Sequence, residues 1–138
     1  MIKEMKNLFM QTSLVSIVWV TLILSLTHQS VTIPFGYVWH IIAIGTLTGF
    51  VFGIMYPLLW NYLTFPAPVN ILISTAVNLA FQLGAVALYS TALLQLIKPY
   101  FIGIAFLTLA GHIIAFLFYK KHQNQKMAQA LNRLKPQS

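Results

Sequence analysis

Few residues in the long apolar stretches of this chain could do chemistry, and almost all of them are neutral. Asn70, Ser74, Asn78 and Gln82 recur every four residues, and Thr108 stands one helical turn before His112. Spacing of four places the amides along one face of a helix, where they can hydrogen-bond but cannot carry charge. The acidic partners that most site chemistry needs are missing. Glu4 is the single carboxylate in 138 residues, which excludes paired-carboxylate catalysis and a hard-cation cage. Cysteine is absent, so thiol redox chemistry, disulfides and thiolate metal sites are excluded. His28 and His40 supply two nitrogen ligands where a metal needs three or four. No Gly-rich phosphate loop follows a strand pattern. His112 has no nucleophile–base–orienter set around it, and Ser16 and Thr108 read as hydrogen-bonding groups. The chain is read as a non-enzyme without metal or cofactor.

The elements that must hold these residues follow from charge distribution. Residues 7–97 form a run of 91 without Asp, Glu, Lys or Arg, and 21 more uncharged residues follow Lys98. Only 7% of the chain is charged and 59% is apolar, against about 25% charged in a soluble domain. That composition predicts an integral membrane protein. About 20 residues cross the hydrocarbon core, and four stretches qualify: 8–26, 36–60, 69–94 and 99–119. The breaks contain His28, Gln29, Ser30 and Pro34, then Asn61, Pro66 and Pro68, then Gln95 to Lys98 before Pro99. Span one reads as a retained helix, because it is longer than a signal-peptide core and no small-x-small cleavage site follows. Tyr37, Trp39, Trp60 and Tyr62 sit where interfacial aromatic belts are expected.

An even number of spans puts both tails on one side. Lys3 and Lys6 then join Lys120, Lys121, Lys126, Arg133 and Lys135, seven of the eight basic residues, which the positive-inside rule assigns to the cytoplasm. The expected fold is all-α: a four-helix membrane bundle over 1–119, both termini cytoplasmic, with a tail over 120–138.

Depth suggests how the spans face one another. Asn78 lies nine residues from the start of span three and His112 seven from the end of span four; Ser16 lies eight into span one. At about 1.5 Å per residue these positions share a level, which predicts a polar layer of Ser16, Asn78, Gln82, Thr108 and His112. Such a layer serves either assembly alone or a ligand or permeation site. Gly45, Gly49 and Gly53 form a flat stripe on span two, and Ala76, Ala80 and Gly84 a small-residue face on span three. Each fits packing within the bundle or against another subunit, so a homo-oligomer stays open. Pro57 should bend span two near its inner end.

Outside the spans, only the C-terminal tail has appreciable length. Met127, Ala130, Leu131 and Leu134 share a helical face, with Lys126 and Arg133 toward others, and Pro136 would end the helix. This reads as a basic amphipathic helix running on from span four. Lys120, Lys121, Lys126, Met127, Leu131, Arg133 and Leu134 are the candidate contacts to anionic lipid or to a cytoplasmic protein. The net charge of +7 flanks apolar spans, so lipid headgroups explain it better than direct nucleic-acid binding.

The four spans, the GTLTGFVFG segment of span two, the polar position in span three and the tail's Leu131–Leu134 segment together resemble a known group. They are similar to the small four-span membrane proteins of unknown function encoded beside LytTR-type transcription regulators in Gram-positive bacteria. Span three of that family often carries histidine where this chain has Asn78. The resemblance implies a regulatory role, in which the membrane protein holds a LytTR-type regulator inactive and releases it on a signal. The competing expectation is a small oligomeric pore-forming or transport protein of holin-like character, motivated by the glycine repeat and the amide stripe.

Overall fold

The computed structural model describes residues 1–27 and 32–134, and all regular elements among them are helical. Helix α1 spans Ile2–Thr27, α2 Tyr37–Tyr62, α3 Ala67–Tyr89, α4 Thr91–Ile97 and α5 Phe101–Leu134. Four segments are long and apolar enough to cross a membrane: α1, α2, α3 and the stretch Thr91–Arg133. His28, the side chain of Leu134 and the expected stop at Pro136 lie outside the described residues.

Local chemistry sets the boundaries. Hydroxyls in the apolar helices turn back onto their own backbones: Thr21 donates to the Ile17 carbonyl at 2.7 Å, Ser25 to Thr21 at 2.8 Å and Thr75 to Ile71 at 2.7 Å. Each such bond lets a polar side chain sit on an apolar surface. Pro66 and Pro68 bracket the start of α3, where a missing N–H removes no intrahelical bond. The end of α3 differs from the sequence expectation, which carried span three to Leu94. Ser90 is extended at φ −162° and ψ 120°, and its hydroxyl accepts from the Leu93 N–H at 3.2 Å. A serine that caps a new helix stops the old one, so Leu94 belongs to α4. One turn of 3-10 helix over Lys98–Tyr100, with Pro99 in it, leads into α5.

Helix α2 is the hub. Its first half is α-helical (Tyr37–Thr48), and it then widens into π-helix over Gly49–Met55 and again over Leu58–Tyr62. The Tyr56 N–H reaches the Val51 carbonyl and the Leu63 N–H the Leu58 carbonyl at 2.8 Å, both five residues back. The buried Pro57 lies between the two widened stretches. Its ring has no N–H and crowds the carbonyl four residues earlier, so wider turns relieve it where an α-helix would kink.

The helices pack in the order α1–α2–α3–α5, with α4 beside α3. Helix α1 has no packed seam with α3 or α5, so the bundle is open between its first and last helices. Burial is sparse. Leu24, Ile41, Ile44, Val51 and Leu59 are the buried large apolar side chains, beside the polar Asn70, Ser74, Thr75 and His112. Large side chains on α1 and α5, among them Leu14, Trp19, Phe106 and Phe118, are exposed instead. Polar side chains thus sit inside while large apolar ones cover the exterior, a distribution unlike that of a water-soluble domain.

Candidate functional site

The amide stripe of α3 faces inward. Asn70 and Ser74 are buried and Asn78 and Gln82 half-buried. The side chains that meet them come from the widened part of α2. In an α-helix residues four apart creep round the axis by about 40° per step; a wider turn advances less per residue and keeps such residues in line. Phe52, Tyr56 and Trp60 accordingly form a ladder. The rings of Phe52 and Tyr56 stack with centroids 5.1 Å apart and planes 6° apart, and Trp60 meets Tyr56 edge-on at 5.7 Å.

Tyr56 joins three helices. Gln82 Nε2 donates to Asn78 Oδ1 at 3.1 Å, and Asn78 Nδ2 donates to the Tyr56 hydroxyl at 3.0 Å. The Tyr56 hydroxyl in turn bonds to His112 Nε2, with the two rings 6° from parallel. His112 Nδ1 lies 2.7 Å from the Thr108 carbonyl. A carbonyl only accepts, so Nδ1 carries the proton; the neutral ring's Nε2 therefore accepts from Tyr56. The relay has one direction, Gln82 to Asn78 to Tyr56 to His112 to the α5 backbone.

Below this relay Trp60 is held twice. Its indole N–H donates to Ser74 Oγ at 2.8 Å, and its carbonyl accepts from the Tyr119 hydroxyl at 2.8 Å. Asn61 Oδ1 offers Tyr119 a second acceptor at 2.7 Å, and Gln123 Nε2 donates to the same hydroxyl at 3.0 Å. Trp60, expected from the sequence at an interfacial belt, is half-buried in the bundle near the end of α2. Phe52, Tyr56, Asn78, Gln82, Gly111 and His112 border an open groove of about 350 Å³ between α2, α3 and α5.

The expected polar layer is therefore gathered in part. Asn78, Gln82 and His112 meet. Thr108 lines the groove, but its hydroxyl donates to its own helix at the Ile104 carbonyl, and only its backbone oxygen serves the layer. Ser16 belongs elsewhere: it bonds Thr48 at 2.9 Å between α1 and α2. The open bundle is the reason, since α1 never comes round to α5. Tyr56, the residue that connects the layer, was not anticipated. Its signal was the four-residue spacing from Phe52 to Trp60 across Pro57.

The glycine stripe lies on a different seam. A Cβ on Gly53 would stand 2.5 Å from Phe9 Cα, one on Gly49 would overlap Ser13 and come 2.8 Å from the Phe9 carbonyl oxygen, and one on Gly45 would overlap the Ile17 side chain. All three glycines let α1 approach α2. On α3, Ala76 borders an apolar groove against α5, Ala80 is exposed, and a Cβ on Gly84 would meet nothing within 4 Å. At the other end of the bundle Tyr37 donates to the Tyr89 carbonyl, and His40 Nδ1 lies 2.9 Å from the Leu88 carbonyl. Both satisfy carbonyls that the end of α3 leaves without helical partners.

Lys120, Lys121, Lys126, Met127, Leu131 and Arg133 are exposed along the last turns of α5. Among the described residues no three His, Asp or Glu side chains converge as a metal site would require. Comparison with protein-family models, with characterised proteins and with solved structures finds no match to this chain.

Proposed function

We infer that this is a non-enzymatic, multi-pass membrane regulatory protein that restrains a cytoplasmic protein through the end of α5. One observation carries the reading. Helix α5 runs unbroken for 34 residues, far beyond the apolar stretch that could span a bilayer. The part after Tyr119 projects as an arm of about 20 Å at 1.5 Å per residue. On it Met127 and Leu131 are 61% and 64% exposed, among Lys120, Lys121, Lys126 and Arg133. A rigid basic helix with an uncovered apolar stripe fits a groove on a partner protein; anionic lipid is the competing surface.

Membrane insertion is supported by the apolar exteriors of the four long helices, and the Lys/Arg bias supports placing both termini in the cytoplasm. The resemblance to proteins encoded beside LytTR-type regulators makes such a regulator the expected partner. Both nitrogens of His112 are engaged, by Tyr56 and by the Thr108 carbonyl, which leaves it no lone pair for work as a general base. Affinity capture from the native membrane, with and without residues 122–138, tests the reading. A DNA-binding regulator recovered stoichiometrically with the full chain and lost on truncation is the expected result; equal recovery would remove the arm's role.

A pore-forming or transport oligomer is the second reading, favoured by the unpacked Ala80 and Gly84 on α3. It predicts defined oligomers and dye leakage from liposomes, both lost in Gly84→Leu. Monomeric protein and sealed liposomes would end it.

A further inference from the structure

We propose that the groove bordered by Phe52, Tyr56, Asn78, Gln82, Gly111 and His112 binds a neutral, membrane-soluble molecule. Its head would be a flat ring bearing a carbonyl oxygen, as a quinone presents. Four observations define that ligand. The hydrogen-bond relay sets its polarity. Tyr56 and His112 are engaged with each other, while Asn78 and Gln82 each use one of two amide N–H groups within the relay. The relay leaves a second N–H on each amide and the Gln82 amide oxygen; the two N–H groups call for an acceptor on the ligand, and the ring carbonyl supplies it.

The walls set its shape. Phe52, Tyr56 and His112 hold their rings nearly parallel, a surface on which a planar ring stacks in offset fashion. The charge distribution sets its neutrality. No Asp, Glu, Lys or Arg lines the groove, and none occurs in 7–97 or 99–119, so an ionic head would be buried without a counter-charge. The volume of about 350 Å³, at the lower end for ligand pockets, accepts a one- or two-ring head, and the open side lets a tail leave toward lipid. The site does not depend on what the α5 arm holds, so failure to capture a partner leaves it standing.

Trp60 borders the same groove and reports on it. Trp19 and Trp39 are exposed and lie outside it, so Trp19→Phe with Trp39→Phe leaves Trp60 as the only indole. This protein, in phosphatidylcholine vesicles, is titrated with 2-methyl-1,4-naphthoquinone while Trp60 fluorescence is followed. Saturable quenching is expected. Gln82→Leu should move its midpoint upward about tenfold. Gly111→Leu fills the groove at a position where a Cβ meets nothing within 4 Å, and the same substitution at Gly103, equally open but outside the groove, controls for folding. Gly111→Leu should turn the quenching linear and Gly103→Leu should leave it saturable. Linear quenching in every variant means collision with bilayer-dissolved quinone and overturns the proposal, as does an unchanged midpoint in Gly111→Leu.

Discussion

Helix α2 carries two seams, and they are built on opposite principles. Toward α1 it presents Gly45, Gly49 and Gly53, so that backbone lies against backbone, with Ser16 and Thr48 adding one hydrogen bond. Toward α3 and α5 it presents Phe52, Tyr56 and Trp60, which hold their neighbours off and bond to them through a relay. Both stripes repeat every four residues on one helix, which is α-helical at Gly45 and widens to π-helix over Gly49–Met55. The first seam gains by removing side chains, through dispersion contacts at short range. The second gains by satisfying polar groups and leaves an open groove. Where lipid is as apolar as the helix surface, these are the two available ways to hold helices together. Open grooves flank both seams, and the one beside the second is lined by the side chains of the relay.

The contrast can be broken most severely at the glycine seam. Gly53→Ala places a methyl group 2.5 Å from Phe9 backbone atoms, which no rotamer change relieves. We expect a loss of about 3 kcal/mol in reversible unfolding from detergent micelles. Gly45→Ala overlaps the Ile17 side chain, which can turn away, and stands 3.0 Å from the Ser13 carbonyl oxygen, a milder backbone contact than at Gly53, so about 1 kcal/mol is expected. Equal losses at the two sites would mean that the seam is looser than described.

Next in size is the relay. Tyr56→Phe removes one hydroxyl and strands both the Asn78 amide and His112 Nε2, with an expected cost of about 2 kcal/mol. In a double-mutant cycle with Asn78→Leu the two losses should fall short of additivity, because one bond is counted in both. Strict additivity would show that the two side chains act independently. The smallest effect belongs to the single hydroxyl pair on the α1 side: Ser16→Ala should cost about 0.6 kcal/mol, within the usual range for one bond between apolar helices. A loss as large as that of Tyr56→Phe would erase the distinction between the seams.

Much of this was legible in the residues. The uncharged run and its breaks locate four long apolar helices. The repeat Asn70, Ser74, Asn78, Gln82 implies an inward face, since stranded amides are costly in an apolar setting, and equal depth brings Asn78 and His112 together. Ser16 shows where depth fails. Level along the axis does not determine which neighbour a helix face meets, and the open order α1–α2–α3–α5 sends Ser16 to Thr48. Trp60 shows a second limit: its place at the end of a span does not tell that Ser74 and Tyr119 will bond to it.

What the sequence determined by itself is a matter of composition and period: the helical class, the number of long apolar segments, and the stripes of glycine and of amides. These depend on neighbours along the chain, whose spacing is known in advance. The tertiary structure decided which stripe meets which helix, that Pro57 is absorbed by π-turns, that Ser90 divides α3 from α4, and that Tyr56 links three helices. Those outcomes depend on the rotation of each helix about its own axis. That rotation is set by contacts between segments far apart in the chain, and no local spacing encodes it.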